Sequence, residues 1–294
     1  MNSWLIVILC ILIGNYILDL IISVLNLKAL SQKLPTEFKD VFDQNEYARS
    51  QKYTRVTTGF SLIEGSTTLF ITLAFLLAGG FNYIDLFVRG FGYGSIVTGL
   101  LFTGSLALLS FFLGLPFSIY STFVIEERFG FNKTTVKTFL TDMVKGIILA
   151  ILIGAPILAL ILWFFENAGT YSWLYCWIGV VVFSIILQFL APVLIMPLFN
   201  KFTPLEDGEL KEKITEYAAS QNFAMQGIFT MDGSKRSAKL NAFFTGFGKF
   251  RKIVFYDTLV EKLSADEIVA VLAHEMGHFK LKHIYKMLAA SVLQ

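Results

Sequence analysis

Histidine and cysteine are both scarce in this chain, which has three and two of them among 294 residues. Cys10 and Cys176 each lie inside an apolar run, which indicates neither a disulfide framework nor a thiolate metal site. Charged residues make up only 16% of the chain, against about 25% in a soluble domain. The net charge of +2, without a basic-aromatic patch, argues against nucleic-acid binding. Because 55% of the residues are hydrophobic, the composition indicates a membrane protein.

The apolar residues are gathered in long runs. A transmembrane helix needs about 20 mostly apolar residues. Five stretches meet this length, namely Trp4–Leu25, Phe60–Gly79, Ile96–Tyr120, Val144–Phe165 and Trp173–Leu194. The first has no basic residue before it and no cleavage site after it, which predicts an uncleaved span. A sixth stretch, Ile284–Gln294, is apolar and helix-prone but too short to cross a bilayer.

Lysine and arginine alternate between the loops. They cluster in the first loop, in the third loop and between Lys201 and His283, whereas the second loop has Arg89 alone and the fourth has none. Cationic loops resist translocation. The pattern predicts that the clustered segments are cytoplasmic and that the N-terminus faces outward.

A few polar residues and prolines interrupt the predicted spans. The polar ones are Asn15, Asp19, Glu64 and Gln188. Such groups either face a wet cavity or lie near the interface, and the sequence leaves both readings open. Pro156 and Pro192 are expected to kink their helices.

The segment after the fifth span is less apolar and reads as a mixed α+β block. Thr203-Pro204-Leu205-Glu206 is typical of a helix start. Three short runs rich in branched or aromatic residues predict strands at Ile228–Met231, Leu240–Thr245 and Lys252–Tyr256. Ser264 with Glu267 forms a second capping pattern, which starts a helix that runs through His274.

Two of the three histidines lie four residues apart in His274-Glu275-Met276-Gly277-His278. Positions i and i+4 share one face of a helix, so both imidazoles can bind one metal ion. Glu275 between them can activate a water as general base, which is the zincin arrangement. The alternative is a helix on which His274 and His278 are merely solvated.

A catalytic zinc also needs a third protein ligand. His283 is nine residues from His274, about 180° around a continuous helix, and is therefore rejected. No Asp or Glu follows Glu275. Glu126, Glu127 and Asp257 stay open as substitutes, since no spacing favours one of them.

Several motifs in this sequence resemble the CAAX prenyl protease 1 family, which comprises integral-membrane zinc metalloendopeptidases. They are Phe123–Lys133, Met196–Phe202, Asn241–Gly248, Val254–Leu259 and His274–His283. The resemblance implies an α-helical multi-pass protein, in which a helix bundle encloses a chamber and carries a cytoplasmic α+β zincin-like domain. Short loops indicate a bacterial member in the inner membrane.

The resemblance also implies an activity and a site. Family members cleave CAAX-type prenylated or membrane-associated proteins, with one Zn²⁺ per chain. His274 and His278 would bind the zinc, and Glu275 would be the catalytic base. Asn241 and Ala242 match a strand that hydrogen-bonds the substrate backbone in related gluzincins; the alternative for Asn241 is a turn or cap residue.

These expectations divide the chain into a five-span bundle (residues 1–199), a metalloprotease domain (200–283) and the start of a truncated sixth span (284–294). The family's glutamate ligand has no counterpart here, so we expect the chain as given to bind zinc weakly and to cleave little. Two alternatives stay open: a non-catalytic protein that binds substrates or partners, and a transporter-like bundle. No inverted repeat is evident to support the transporter.

Overall fold

A computed structural model describes residues 3–223, 225–245 and 251–293. The chain forms two compact units, residues 1–130 and 131–294. Within the described residues, five helical segments are long and apolar enough to span a membrane. They are Ser3–Ala29, Gln44–Leu77, Ser95–Glu126, Val136–Asn167 and Gly169–Phe199. The prediction of five spans is therefore confirmed.

The second span begins earlier than predicted, at Gln44 instead of Phe60. Asp43 is its N-cap, and its carboxylate accepts hydrogen bonds from the N–H groups of Asn45 and Glu46, at 2.8 and 2.9 Å. A polar helical extension of this kind escapes a hydropathy search, because the cap and not the apolar run fixes where the helix begins.

Prolines coincide with π-helical turns in three spans. Such turns occupy Ala150–Gly154, before Pro156, and Ala191–Ile195, which contains Pro192. A third, Ser121–Glu126, follows Pro116. Proline lacks the N–H that would bond four residues back, so the neighbouring turns widen. π-Helical turns therefore lie next to Pro156 and around Pro192, and the kinks expected at these two prolines stay predictions.

The described part of the first unit contains four α-helices. They are α1 (Ser3–Ala29), α2 (Gln44–Leu77), α3 (Gly80–Arg89) and α4 (Ser95–Tyr120), which continues into the π-helical turn. The hydroxyls of Tyr16 and Ser66 join α1 to α2 at 2.6 Å. Arg49 Nη2 donates to the Phe129 carbonyl at 2.5 Å. The third span is predicted to end at Tyr120, but the helix continues to Glu126, whose carboxylate accepts a hydrogen bond from the Tyr53 hydroxyl.

The second unit combines helices with a small sheet. Its elements are α5 (Val136–Leu149), α6 (Ala155–Asn167), α7 (Ser172–Leu190), α8 (Met196–Phe199), β1 (Phe202–Pro204), α9 (Glu209–Ser220), β2 (Gly227–Met231), β3 (Ala242–Thr245), β4 (Lys252–Tyr256), α10 (Asp257–Lys262), α11 (Ala265–Lys280) and α12 (His283–Leu293). Among the described residues the sheet has four strands in the order β1-β2-β4-β3, and only β2 and β4 are parallel.

The helix start predicted at Thr203–Glu206 is wrong. Thr203 and Pro204 belong to β1, and the Thr203 hydroxyl meets that of Thr230 across the strands at 2.7 Å. The helix begins only at Glu209. Cross-strand pairing decides the conformation here, and proline fits because β1 is an edge strand. Leu240 and Asn241 also lie outside β3, which begins at Ala242.

A compact apolar core holds the sheet of the second unit against α9 and α11. Ile253 and Phe255 on β4 are fully buried and point to the same face, because alternate residues of a strand do so. They meet Ile214 of α9 and Leu272 of α11, which are also fully buried. The helix that carries the histidine motif is thereby fixed on the sheet.

Arg236, in the segment after β2, forms a forked ion pair with Asp142 of α5. Its Nε and Nη2 donate to the two carboxylate oxygens at 2.7 and 2.8 Å, and Nη2 also donates to the Phe199 carbonyl at 2.9 Å. Both side chains are 24% exposed, so this pair is more shielded than a typical surface ion pair. It links a membrane span to the sheet region.

We expect Asp142→Asn to lower the free energy of unfolding by about 1–3 kcal/mol, because it leaves a mostly buried guanidinium without its counter-charge. Denaturation in detergent micelles measures this. The control is Asp85→Asn, which breaks the exposed pair with Arg89 and should cost much less stability, because solvent screens that pair. Equal losses in the two variants would contradict a special role for Arg236.

Candidate active site

A capping box fixes the start of α11. The Glu267 carboxylate accepts from the Ser264 N–H at 2.8 Å, and the Ser264 hydroxyl accepts from the Glu267 N–H at 3.4 Å. These reciprocal bonds satisfy two backbone donors that a helix otherwise leaves unpaired. The sequence prediction of a cap at Ser264 is confirmed.

The apolar positions of α11 orient its polar ones. Ile268, Leu272 and Met276 recur every fourth residue and are buried in the core. His274 and His278 are therefore directed to another side of the helix and are exposed, and Glu275 is half-buried. The burial of one face thus fixes where the chemically active side chains point.

The two motif histidines converge. Nε2 of His274 and Nε2 of His278 are 3.0 Å apart, and the ring centroids are 4.7 Å apart with the planes at 77°. This is the arrangement that the i, i+4 spacing predicts. The two rings face each other through the same atom, Nε2, so both can offer this nitrogen to one ion.

The donor set fits zinc in part. Two imidazole nitrogens at 3.0 Å are close enough for both to bond one ion at the usual Zn–N length of about 2.0–2.1 Å. Neutral imidazole is a preferred zinc ligand. Within residues 3–223, 225–245 and 251–293, no group of three or more His, Cys, Asp or Glu side chains could hold a metal ion.

Of the acids that stayed open as a third ligand, Asp257 is committed elsewhere. Its carboxylate accepts from the N–H groups of Ser234 and Thr258, each at 2.8 Å, and from the Ser234 hydroxyl. These bonds tie the segment after β2 to the first turn of α10 and give Asp257 a structural role.

His283 lies closer to the motif than sequence reasoning allowed. One continuous helix would place His283 about 180° from His274, but α11 ends at Lys280 and α12 begins at His283. Nδ1 of His283 is 2.8 Å from Nδ1 of His278. This contact does not make His283 a ligand. The expectation that His283 lies on the far side of the helix is nevertheless wrong, because the helix does not continue to it.

An edge strand lies beside α11. In the described sheet β3 is a terminal strand, and it contacts α11. The Tyr256 N–H donates to the Asn241 carbonyl at 3.0 Å. Backbone groups of an antiparallel strand alternate in direction, so those of Ala242 and Phe244 point away from β4. Asn241 Oδ1 accepts the Ala242 N–H at 2.9 Å, and residues 246–248 of the Asn241–Gly248 motif lie outside the described part.

An arginine sandwich supports the end of α11, and no pattern in the sequence predicts it. The guanidinium carbon of Arg251 lies 4.8 Å from the centroid of the Phe223 ring and 4.1 Å from that of the Phe279 ring. Phe279 directly follows His278. Cation–π contacts join residues far apart in sequence, so only the tertiary structure reveals that Arg251 supports the histidine-bearing turn.

Two family models match almost the whole chain. One, described as CAAX prenyl protease N-terminal, five membrane helices, matches residues 23–201. The other, Peptidase family M48, matches residues 204–294. Five apolar helices joined to a peptidase domain define a multi-pass membrane protease.

Individual relatives agree with this class. The CAAX prenyl protease 1 homolog of Arabidopsis thaliana is 38% identical over 295 residues, which cover 96% of this chain and 69% of the relative. CAAX prenyl protease 1 of Saccharomyces cerevisiae is 42% identical over 277 residues, which cover 90% and 61%. The crystal structure of S. mikatae Ste24p matches with a TM-score of 0.92 at 39% identity, over 100% of this chain and 70% of that one. The chain belongs to the CAAX prenyl protease 1 family.

We expect Ser264→Ala to lower the free energy of unfolding by about 1 kcal/mol, because it removes the N-cap of α11. Ser220→Ala is the control, since the Ser220 hydroxyl donates to the Tyr217 carbonyl of its own helix and accepts a long bond of 3.4 Å from the neighbouring Gln221; it should change stability by less than about 0.5 kcal/mol. Denaturation of both variants in one detergent measures the difference, and equal effects would contradict the cap.

The same cap predicts a pH dependence. Hydrogen bonds from the Ser264 backbone and hydroxyl hold the pKa of Glu267 below its usual value. Its charge therefore stabilises the fold above the ordinary glutamate pKa of about 4.3, and this contribution is lost as the pH falls through the lowered value. The destabilisation by Glu267→Gln at neutral pH should shrink in that acidic range, and a pH-independent penalty would contradict this.

Proposed function

We propose that this chain is a membrane-embedded zinc endopeptidase that cleaves CAAX-type prenylated or membrane-associated proteins. The observation that carries the proposal is the convergence of two histidine Nε2 atoms, 3.0 Å apart, on the helix that also bears Glu275. Membership of the family and the names of its relatives support the substrate class.

His274 and His278 are the residues that would hold zinc. When bound, zinc supplies Lewis acidity, which makes water nucleophilic at neutral pH and polarises a carbonyl. The fixed position of the helix supports this role, because the buried face of α11 and its capped start hold both histidine positions in place. The identity of a third ligand is not part of this proposal.

Glu275 is the proposed general base and acid. It directly follows His274 in the helix and is half-buried, so its side chain starts next to the histidine pair and is still accessible to water. It would take a proton from the attacking water and deliver it to the amine that leaves. This chemistry needs a carboxylate that can exchange a proton twice in one cycle.

Asn241 and Ala242 are the proposed start of a substrate-binding edge. The Ala242 carbonyl and the backbone groups of Phe244 point away from β4, as strand addition by an extended peptide requires. Contact between β3 and α11 supports a peptide path along the helix that bears the histidines. Asn241 would set the geometry of this edge through its bond to the Ala242 N–H.

The charge pattern supports a cytoplasmic active site with the N-terminus outside. Arg49, Lys52 and Arg55 are on α2, not in a loop, but basic residues near a span end count equally. We keep the division into a bundle (1–199), a metalloprotease domain (200–283) and a further apolar segment (284–294). A bacterial inner membrane also stays a prediction.

Replacing Glu275 with Gln should reduce peptidase activity at least about 100-fold, because the amide cannot exchange the proton, while zinc content stays unchanged. Hydrolysis of a prenylated peptide and metal analysis on the same purified sample measure both. Glu261→Gln, an exposed acid of α10, is the control and should keep full activity. Unchanged turnover in Glu275→Gln would overturn the proposed mechanism.

Strand addition predicts an alternating response to backbone methylation of the substrate. Removing a substrate N–H that pairs with β3 should lower kcat/KM by about 2- to 10-fold, which is the loss expected for one hydrogen bond. N-methylation at the adjacent residues, whose N–H groups point away, is the internal control. Kinetics of a methylated peptide series test this, and a response without a period of two residues would contradict it.

A further inference from the structure

His278 has a partner at each ring nitrogen. Its Nε2 is 3.0 Å from Nε2 of His274, and its Nδ1 is 2.8 Å from Nδ1 of His283. The His278 and His283 rings meet edge-on, with centroids 4.9 Å apart and planes at 68°. His283 therefore contacts His278 at the nitrogen that the histidine pair does not use.

An uncommon turn brings His283 to this position. Lys282 has a φ of +55°, a left-handed conformation that residues with a Cβ seldom adopt. The Lys282 N–H donates to the Phe279 carbonyl at 2.9 Å, and the Leu281 N–H donates to the Gly277 carbonyl at 3.0 Å. The turn is thus hydrogen-bonded on both residues. Strained backbone conformations are often found at functional sites, and this one brings His283 to His278.

The protonation pattern of the three rings follows from their contacts. A histidine that offers the Nε2 lone pair to a metal must carry its proton on Nδ1. Nδ1 of His278 then donates, and Nδ1 of His283 accepts. Metal-binding histidines ordinarily donate their other N–H to such an acceptor, which fixes both the tautomer and the ring orientation.

We infer that His283 is a positioning residue that holds His278 with its Nε2 lone pair directed to the side shared with His274. This inference rests on the proposed function, because it gives His283 a role toward the metal that the pair would hold. His283 acts through His278 and is not itself proposed as a ligand, since its Nδ1 faces the far nitrogen of that ring.

Zinc affinity separates this role from simple ring contact. His283→Phe keeps an aromatic ring but cannot accept the hydrogen bond, and it should weaken zinc binding by about 10- to 100-fold. His283→Gln restores an acceptor oxygen and should bind within about threefold of the wild type. Met287→Ala is the control, because Met287 lies on the same helix α12 and is 72% exposed; it should bind as the wild type does. Chelator competition on the full chain in detergent measures all four proteins.

A second measurement needs no metal. The chain has only three histidines, so ring-¹⁵N labelling resolves each tautomer in the zinc-free protein. Wild type and His283→Gln should hold the His278 proton on Nδ1, and His283→Phe should lose that preference. If His283→Phe has the zinc affinity and the His278 tautomer of the wild type, the positioning role of His283 is overturned, but the metal site proposed for His274 and His278 is not. A wild type that binds no zinc would overturn the proposed metal site as well.

Discussion

Burial of one face of α11 is the constraint on which the site depends. The buried face of α11 consists of Ile268, Leu272 and Met276, whose side chains complete the apolar core of the mixed sheet. Once they are buried, helix geometry alone directs His274 and His278 to a common side. The helix that carries the site is therefore held in place by the same packing that folds the domain, and the contact from His283 adds to the orientation of the His278 ring.

Supports around this helix act at its two ends. The capping box at Ser264 fixes the first turn, and the Arg251 sandwich with Phe223 and Phe279 fixes the last. His283 then approaches His278 across the turn at Lys282. Because metal ligands must be held within a fraction of an ångström, this concentration of contacts at the histidine-bearing turn is consistent with a metal-binding role.

The sequence predicts features that depend on residues close together in the chain, and it misses features that depend on residues far apart or on an unusual turn. The five spans and the facing histidines follow from composition and from spacings of a few residues, and both were predicted correctly. Thr203 and Pro204 were misread because their pairing with β2 outweighs a local helix-start pattern. The return of His283 was missed because a left-handed turn is normally signalled by glycine or asparagine, and Lys282 gives no such signal. The substrate-binding role of the strand at Asn241 and Ala242 stays a prediction, and the third zinc ligand stays unassigned.

The proposal that His274 and His278 together bind zinc in this membrane protease can be tested by X-ray absorption at the zinc edge of the purified, zinc-loaded chain. Two histidine ligands should give imidazole scattering at about 2.0–2.1 Å, and His278→Ala should reduce it to that of one histidine. A spectrum without imidazole scattering, or one that is identical in His278→Ala, would contradict it.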